Sequence, residues 1–472
     1  MAFLLSALPI AVLVTALAAF RAPAWKAALA AFAVGAAEAF LWRGLSAGSI
    51  AECAAAGAAT GLFPIGLVIV AALFAYAVTE TSGAIEDIKS GLSALSSDRR
   101  FLALLVAWGF GSFMEGMAGF GTAVAIPCAI LVGVGFDPLR AVLCCLVANT
   151  TPTAFASVGV PTRVLAGETG LGIGALTPVI AWLQLAVSAI LPFLVLIAAD
   201  GLKGLRECWK LALGASVAFA VPWLALAQFA GCELPDIVGG IAVMALFAFL
   251  GDRKGIDVRR QLWAWLPFAF IVLALGVVAF LPDERKPSPG FVVLAAAAVG
   301  GLCQGMRPLR LVALAARTIW RYSLALLMIC TVLALAKVMG AAGMTQTLAD
   351  GLVASTGRWY SAVSGLVGAL GGFVTGSGTS TSVLFGALQT SAASSWAHKL
   401  LFAAANIMGA GIGKMVCPQS IVLGCAAAGL AGRESEVMKR AAPFFLVVLV
   451  VACAVTFAFA FFSSAIEVVA HG

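Results

Sequence analysis

Glu115 and Lys414 stand out because each is a formal charge set in an apolar stretch: GSFMEGMAGFG at 111–121 and GAGIGKMVCPQS at 409–420. A charged side chain at mid-bilayer costs about 2.5–3.5 kcal/mol on insertion scales, so such residues imply a use. A buried carboxyl can take up and release a proton. An ammonium can hold a carboxylate ligand, and Arg163, which follows Pro161, can hold one with two parallel hydrogen bonds. Uncharged polar residues gather in the same four stretches: Thr122; Asn149, Thr150, Thr151 and Thr153; Thr375, Ser377, Thr379, Ser380, Thr381 and Ser382; and Asn406, Gln419 and Ser420. This set suits reversible binding of a small organic anion, with Glu115 as the proton-coupling group and Asn149, Thr150, Thr151, Arg163, Thr375, Ser377, Thr379, Ser380, Asn406, Lys414, Gln419 and Ser420 as ligands. Bland readings stand beside it: Lys414 could simply neutralise Glu115, Arg163 could reach to the interface, and a single Ser or Thr could bond to its own preceding turn.

Bond-making chemistry is not indicated. The chain has two histidines, His398 and His471, and eleven cysteines without a CxxC pair. No metal or cofactor is therefore expected. Cys144 and Cys145, adjacent in an apolar run, read as small buried residues. A membrane-embedded enzyme would need a second catalytic constellation beside Lys414 and the serines, and none is legible. A channel would share the composition without needing a closed polar centre.

The elements that position these residues follow from composition. Of 472 residues, 62% are hydrophobic and 10% charged, against roughly 25% charged in a soluble domain. Apolar runs recur from end to end, so the chain is expected to be an all-α polytopic membrane protein with no soluble domain. The net charge of +7 is spread over short loops, which speaks for topology rather than nucleic-acid binding. The N-terminal FLLSALPIAVLVTALAAF lacks preceding Lys or Arg and is followed by Arg21 and Lys26. It therefore reads as a first span rather than a signal peptide.

Basic clusters at Arg21 and Lys26, 89–100, 203–210, 253–260, 307–321 and 433–440 mark one side of the membrane. The loops at 166–174 and 231–237 carry no Lys or Arg, and 282–290 carries Arg285 and Lys286. About twelve spans then alternate, near 3–20, 24–42, 50–79, 141–165, 175–199, 210–230, 237–250, 262–282, 290–305, 322–340, 401–430 and 442–464. Residues 101–136 and 361–396 each begin and end on one side, so both are expected to be re-entrant hairpins bent at glycine. Such backbone is tolerated only inside protein or a wet cavity.

The two halves echo each other. GSFMEG at 111–116 aligns with GGFVTG at 371–376, and twelve positions separate both Asn149 from Pro161 and Asn406 from Pro418. The expected architecture is an inverted repeat: 1–200 (hairpin 101–136, broken span 141–165), linking spans at 201–260, and 261–465 (hairpin 361–396, broken span 401–430). Inverted repeats with discontinuous helices place a secondary transporter's site at the midplane. Gly116, Gly119, Gly121, Gly376, Gly378, Pro161 and Pro418 supply the bends and breaks. Helix N-termini there would offer a ready anion site.

GSFMEGMAGFGTAVAI, ANTTPTAFASVGVP, ELPDI at 233–237, and TGSGTSTSVLFGALQTSAA through GKMVCPQSIVLGCAAAGLAGRES closely resemble the L-lactate permease family. The resemblance covers most of 60–440. It implies proton-coupled symport of L-lactate, glycolate or a similar 2-hydroxymonocarboxylate across the bacterial inner membrane by an elevator-type carrier. Na+ coupling remains the alternative, and such carriers are often homodimers. Three departures are visible. Gly378 stands where the family typically has an aspartate (GSDTSS). Thr162 and Arg163 follow Pro161 where uncharged residues are expected. The loop near 282–290 is short. The first two make the centre more positive, which opens the alternative of a dicarboxylate or sulfonated substrate.

Overall fold

The computed structural model describes residues 2–471 except Ala19, Arg21, Phe120, 253–255, 282–284 and Lys286, with side chains for these apart from Ala18, Arg358 and 463–471. Of the topological charges, Arg21, Arg253, Lys254 and Lys286 thus lie outside the described residues. All described elements are helical.

The chain opens with α1 (Ala2–Ala18) and α2 (Ala24–Leu41), then α3 (Ala47–Thr60), which passes through a π turn kinked at Phe63 into α4 (Leu67–Thr81). α5 (Ala84–Ala94) is a short amphipathic helix. The first hairpin rises through α6 (Arg99–Leu102), a π stretch (Ala103–Phe110) and α7 (Gly111–Met117), and descends as α8 (Thr122–Gly133). α9 (Pro138–Ala148) and α10 (Ala156–Thr169) form one interrupted helix. α11 (Ile173–Phe229) and α12 (Pro235–Leu250) link the halves. The second half runs α13 (Val258–Ala279), α14 (Pro289–Cys303), α15 (Pro308–Arg321), α16 (Ser323–Ala341) and α17 (Met344–Thr356). Its hairpin is α18 (Tyr360–Thr375) with α19 (Gly378–Ser391), its interrupted helix α20 (Trp396–Lys414) with α21 (Pro418–Ala428), and α22 (Glu434–His471) closes the chain.

Among the described residues, seven helices are long and apolar enough to cross a membrane. At 57 residues α11 would extend about 85 Å at 1.5 Å per residue, far beyond a hydrocarbon core of about 30 Å. It turns a corner at Asp200 and Gly201, where φ is +66°, between the stretches 175–199 and 210–230. The hairpin arms and broken spans supply shorter apolar helices, because glycine and proline interrupt them. Three elements were read as loops and are helices: α5, α15 and α17. Each is short and polar on one side, which hides it from a search for apolar runs. Arg310, Arg317 and Arg321 share one face of α15 at helical spacing, the pattern of a helix lying in the membrane interface.

Packing crosses between the halves. α1 packs on α2 and α17, and α2 on α16; in the second half α13 packs on α14 and α5, and α14 on α4. Small residues allow these approaches: a Cβ on Gly290 would stand 2.6 Å from Leu67, and one on Gly300 2.5 Å from Pro267. The closest pair is α18 with α20, where Gly368 and Gly372 face Asn406 and Ala410, and Gly409 and Gly413 face Gly365 and Ala369, backbone against backbone. The hairpins and interrupted helices form the buried interior, and every residue from Leu400 to Cys417 is buried.

Candidate anion site

Each tip and break has a sequence cause. The first tip turns at Gly119 (φ +61°) and Gly121 (φ +87°), the second at Gly376 (φ +64°), left-handed backbone that glycine adopts without steric cost. In α10 the backbone at Ser157, Val158 and Gly159 is also left-handed. The helix proper therefore restarts around Pro161, as α21 restarts at Pro418, and proline at a helix start sacrifices no hydrogen bond. Side chains clasp the parts together. Ser157 Oγ donates to the Ala118 carbonyl at the first tip at 2.9 Å. Ser377 caps α19 by accepting from the Ser380 amide at 3.2 Å. At the second tip a Cβ on Gly376 would meet Cys417 Sγ at 3.0 Å and Gln419 at 3.2 Å.

Both tips and both breaks line one cavity of about 100 Å³. This is small beside the about 300–1,000 Å³ of pockets for drug-sized ligands, and suits a compound of few atoms. Of the residues expected there, Glu115, Gly119, Gly121, Pro161, Thr375, Gly376, Ser377, Gly378, Thr379, Ser380, Lys414, Gln419 and Ser420 line it. Four helices begin at its wall, after Gly121, near Pro161, at Gly378 and at Pro418. Each start carries about half a positive charge and unpaired N–H groups. Ala325, Met328 and Ile329 of α16 add an apolar wall. A larger groove of about 610 Å³ between α5, α12 and α13 is lined by Phe113, Trp265, Phe268, Gln261 and otherwise apolar side chains. It holds no charged residue.

The charged centre is compact. Lys414 Nζ donates to Glu115 Oε1 at 2.5 Å, and both side chains are almost fully buried. With its amide oriented to satisfy both neighbours, Asn149 donates to Glu115 Oε2 and accepts from Lys414 Nζ, each at 3.1 Å. Both carboxylate oxygens and the ammonium are thereby engaged. Asn149 reaches them because α9 ends there, at the C-cap.

Other expected residues lie elsewhere. Arg163 forms an ion pair with Glu233 and lines a separate cavity of about 830 Å³ together with Glu168 and Lys337. Asn406 lies within α20, eight residues before Lys414, and reaches the Thr381 carbonyl at 3.5 Å. Its spacing to Pro418 matches that of Asn149 to Pro161, but the second helix breaks only after Lys414, so the two asparagines have different surroundings. Thr150 donates to the backbone carbonyl of Val147, and Thr151 Oγ1 is buried without a partner. Gly116 is not at the bend. It lies in the last turn of α7, where the absence of a side chain admits Asp236 and Ile237 of α12. Ser157 and Thr153, both lining the cavity, were not chosen as ligands in the sequence. Ser157 could have been found from its place in the ASVGVP break. Among the described residues no group of His, Cys, Asp and Glu could hold a metal ion.

The L-lactate permease family model matches residues 2–285 and 284–463. The L-lactate permease of Bacillus subtilis (strain 168) is 32% identical, over 96% of each chain. That of Streptococcus iniae is 38% identical over 71% of this chain and 79% of its own. The glycolate permease GlcA of Escherichia coli (strain K12) is 34% identical over 80% of this chain and 81% of its own. A match of this extent, on a chain with multiple apolar helices, makes the protein a multi-pass transporter of the bacterial inner membrane rather than an enzyme. The chain belongs to the L-lactate permease family.

Proposed function

We propose that the protein is a proton-coupled symporter for L-lactate, glycolate or a closely similar 2-hydroxymonocarboxylate. The observation that carries this reading is the small cavity walled by two tips and two breaks, with the Glu115–Lys414 pair at its edge. The substrate carboxylate takes the place of the Glu115 carboxylate on Lys414. Glu115, deprived of its cation in a buried site, accepts a proton. The helix starts at Gly378 and Pro418 offset the substrate charge. Thr379, Ser380 and Ser420 meet its hydroxyl, and Met328 and Ile329 meet its short alkyl group. The names of the relatives, L-lactate permease and glycolate permease GlcA, agree with this class.

The inverted repeat, the re-entrant hairpins and the elevator motion belong to the same proposal. The reciprocal packing of each half's leading helices on the other half supports the repeat. The two helix–turn–helix units with glycine tips support the hairpins. In the elevator reading, the hairpins and interrupted helices slide against a frame built from α1–α4 and α13–α17. A dicarboxylate or sulfonated substrate would need a free cation beside Lys414. Arg163, the residue that raised this alternative, is already paired with Glu233.

The test is transport by the reconstituted protein. Glu115→Gln should abolish proton-driven uptake of labelled L-lactate while exchange of lactate for lactate persists in part. Equal loss of both would assign Glu115 to structure alone. Uptake driven by a Na+ gradient at uniform pH would replace the proton in this account.

A further inference from the structure

Asp236, the acidic residue of ELPDI that the account above leaves unused, is fully buried. It lies in the first turn of α12, against the hairpin helix that carries Glu115. A Cβ on Gly116, the residue after Glu115, would stand 2.9 Å from Asp236 Cβ. The carboxyl is half satisfied. Oδ1 accepts from Trp223 Nε1 of α11 at 2.8 Å, while Oδ2 has no partner. The charged groups that act on it are Glu115 of α7 and Lys414 of α20, and the Phe155 backbone of the first break lies beside it. The Cys232 thiol, in the loop before α12, donates to the Gly159 carbonyl of the first break at 3.7 Å.

Its surroundings differ from those of Glu115. Glu115 has an ammonium and an amide, one for each oxygen, so its ionised form is matched. Asp236 has an indole N–H and the N-terminus of its own helix, both of which favour the anion, but no cation in ion-pair contact. Burial without a cation favours the neutral acid. The buried Oδ2, without a partner, leaves one oxygen open to carry a proton, which suits a group that binds and releases one within the cycle.

We infer that Asp236 is a second proton-binding carboxyl of the transport centre, so that each monocarboxylate crosses with two protons. This rests on the proposed proton-coupled symport. Charge counting supports it. In the proton-free state that this cycle requires, the empty centre holds one ammonium and two carboxylates, a net charge of −1. A substrate anion and two protons bring the loaded centre to zero. Each proton adds to a carboxylate oxygen to give the acid and returns to water on the far side. One cycle then moves a net charge of +1 inward, and uptake responds to membrane potential as well as to the pH gradient. A centre that took a single proton with the anion would be electroneutral.

The experiment uses the full-length protein in proteoliposomes with labelled L-lactate. Exchange by the wild type is read first, and its absence would overturn the substrate reading and this inference with it. At equal pH on both sides, a valinomycin potassium diffusion potential, negative inside, should then raise wild-type uptake several-fold. Asp236→Asn should lose that response while uptake driven by a pH gradient persists at reduced rate. Asp236→Glu should restore the response. Trp223→Phe, which keeps the carboxyl but removes a donor to its anion, should move the pH dependence of uptake toward higher pH. Wild-type uptake indifferent to potential would overturn the inference. So would an Asp236→Asn variant with the wild-type response, or loss of exchange in both Asp236 variants alike.

Discussion

At the scale of single residues, the centre depends on groups that have no substitute. Lys414 is held by Glu115 and Asn149, so Lys414→Met should abolish L-lactate binding and leave a buried, unmatched carboxylate. Loss of at least a hundredfold in exchange rate is expected, and near-normal exchange would remove Lys414 from the substrate's path. Gly378 gives a different kind of prediction. A Cβ there would meet Thr153 Cγ2 at 2.9 Å, the Thr153 carbonyl oxygen at 3.1 Å and Pro161 Cβ at 3.3 Å. Overpacking of this kind costs about 1–3 kcal/mol. Gly378→Ala should therefore lower the melting temperature and weaken L-lactate uptake, while Gly174→Ala, in open space, should leave both unchanged. The resemblance implies an aspartate at this position, but in this chain Thr153 and Pro161 occupy the space. Glu115, Lys414 and the hydroxyls of the second tip were legible in the sequence because charge and polarity are conspicuous in an apolar chain. Asp236 was not, because it sits near a span end where an acid is ordinary, and its burial depends on Gly116 and Trp223 from distant elements. Arg163 misled for the converse reason: its partner Glu233 is 70 residues away and nothing local announces the pair.

At the scale of elements, two predictions concern how the hairpins are held. Asp98 caps the first hairpin helix, accepting from the Arg100 amide at 2.8 Å. The Arg100 guanidinium, hydrogen-bonded to it, holds its carboxyl below the ordinary range. A lowered native value stabilises the fold above the unfolded value of about 3.9 and ceases to do so as pH falls through the native one. Asp98→Asn should thus lower the melting temperature in detergent at pH 7, and the difference should begin to shrink as pH falls below about 4 and vanish only below the lowered native value. A difference that persists there would show that the cap acts without its charge. The α18–α20 contact makes a stricter demand, since Gly413 faces the Ala369 carbonyl with no room for a side chain. Gly413→Leu should prevent folding, read as loss of monodisperse protein after extraction. The helix turns near 119–121 and 376 and the interruptions near Pro161 and Pro418 follow glycine and proline that punctuate apolar runs. The register of the turns was less legible. The alignment of Gly116 with Gly376 misses the first tip by three residues, since that tip turns at Gly119 and Gly121 and the second at Gly376. α5, α15 and α17 escaped because their amphipathic pattern is mixed with loop-like charge.

At the scale of the whole molecule, the proposed motion predicts which contacts must break. Lys337 of α16 bonds Glu168 of α10 at 3.3 Å, joining the proposed frame to the proposed moving unit. A disulfide between cysteines at 168 and 337 should arrest transport and be relieved by reductant. Full activity in the cross-linked protein would contradict sliding at this surface. The pairings of the leading helices with helices distant in the chain arise from small residues spread over many helices, which no local motif announces. The central claim, that the small cavity carries a lactate-like anion with protons, has one direct measurement: uptake of labelled L-lactate into proteoliposomes with an acid exterior and alkaline interior. The account predicts saturable uptake that collapses with a protonophore, is inhibited by unlabelled glycolate and is indifferent to succinate. Absence of L-lactate uptake alongside gradient-driven uptake of a dianion would contradict it.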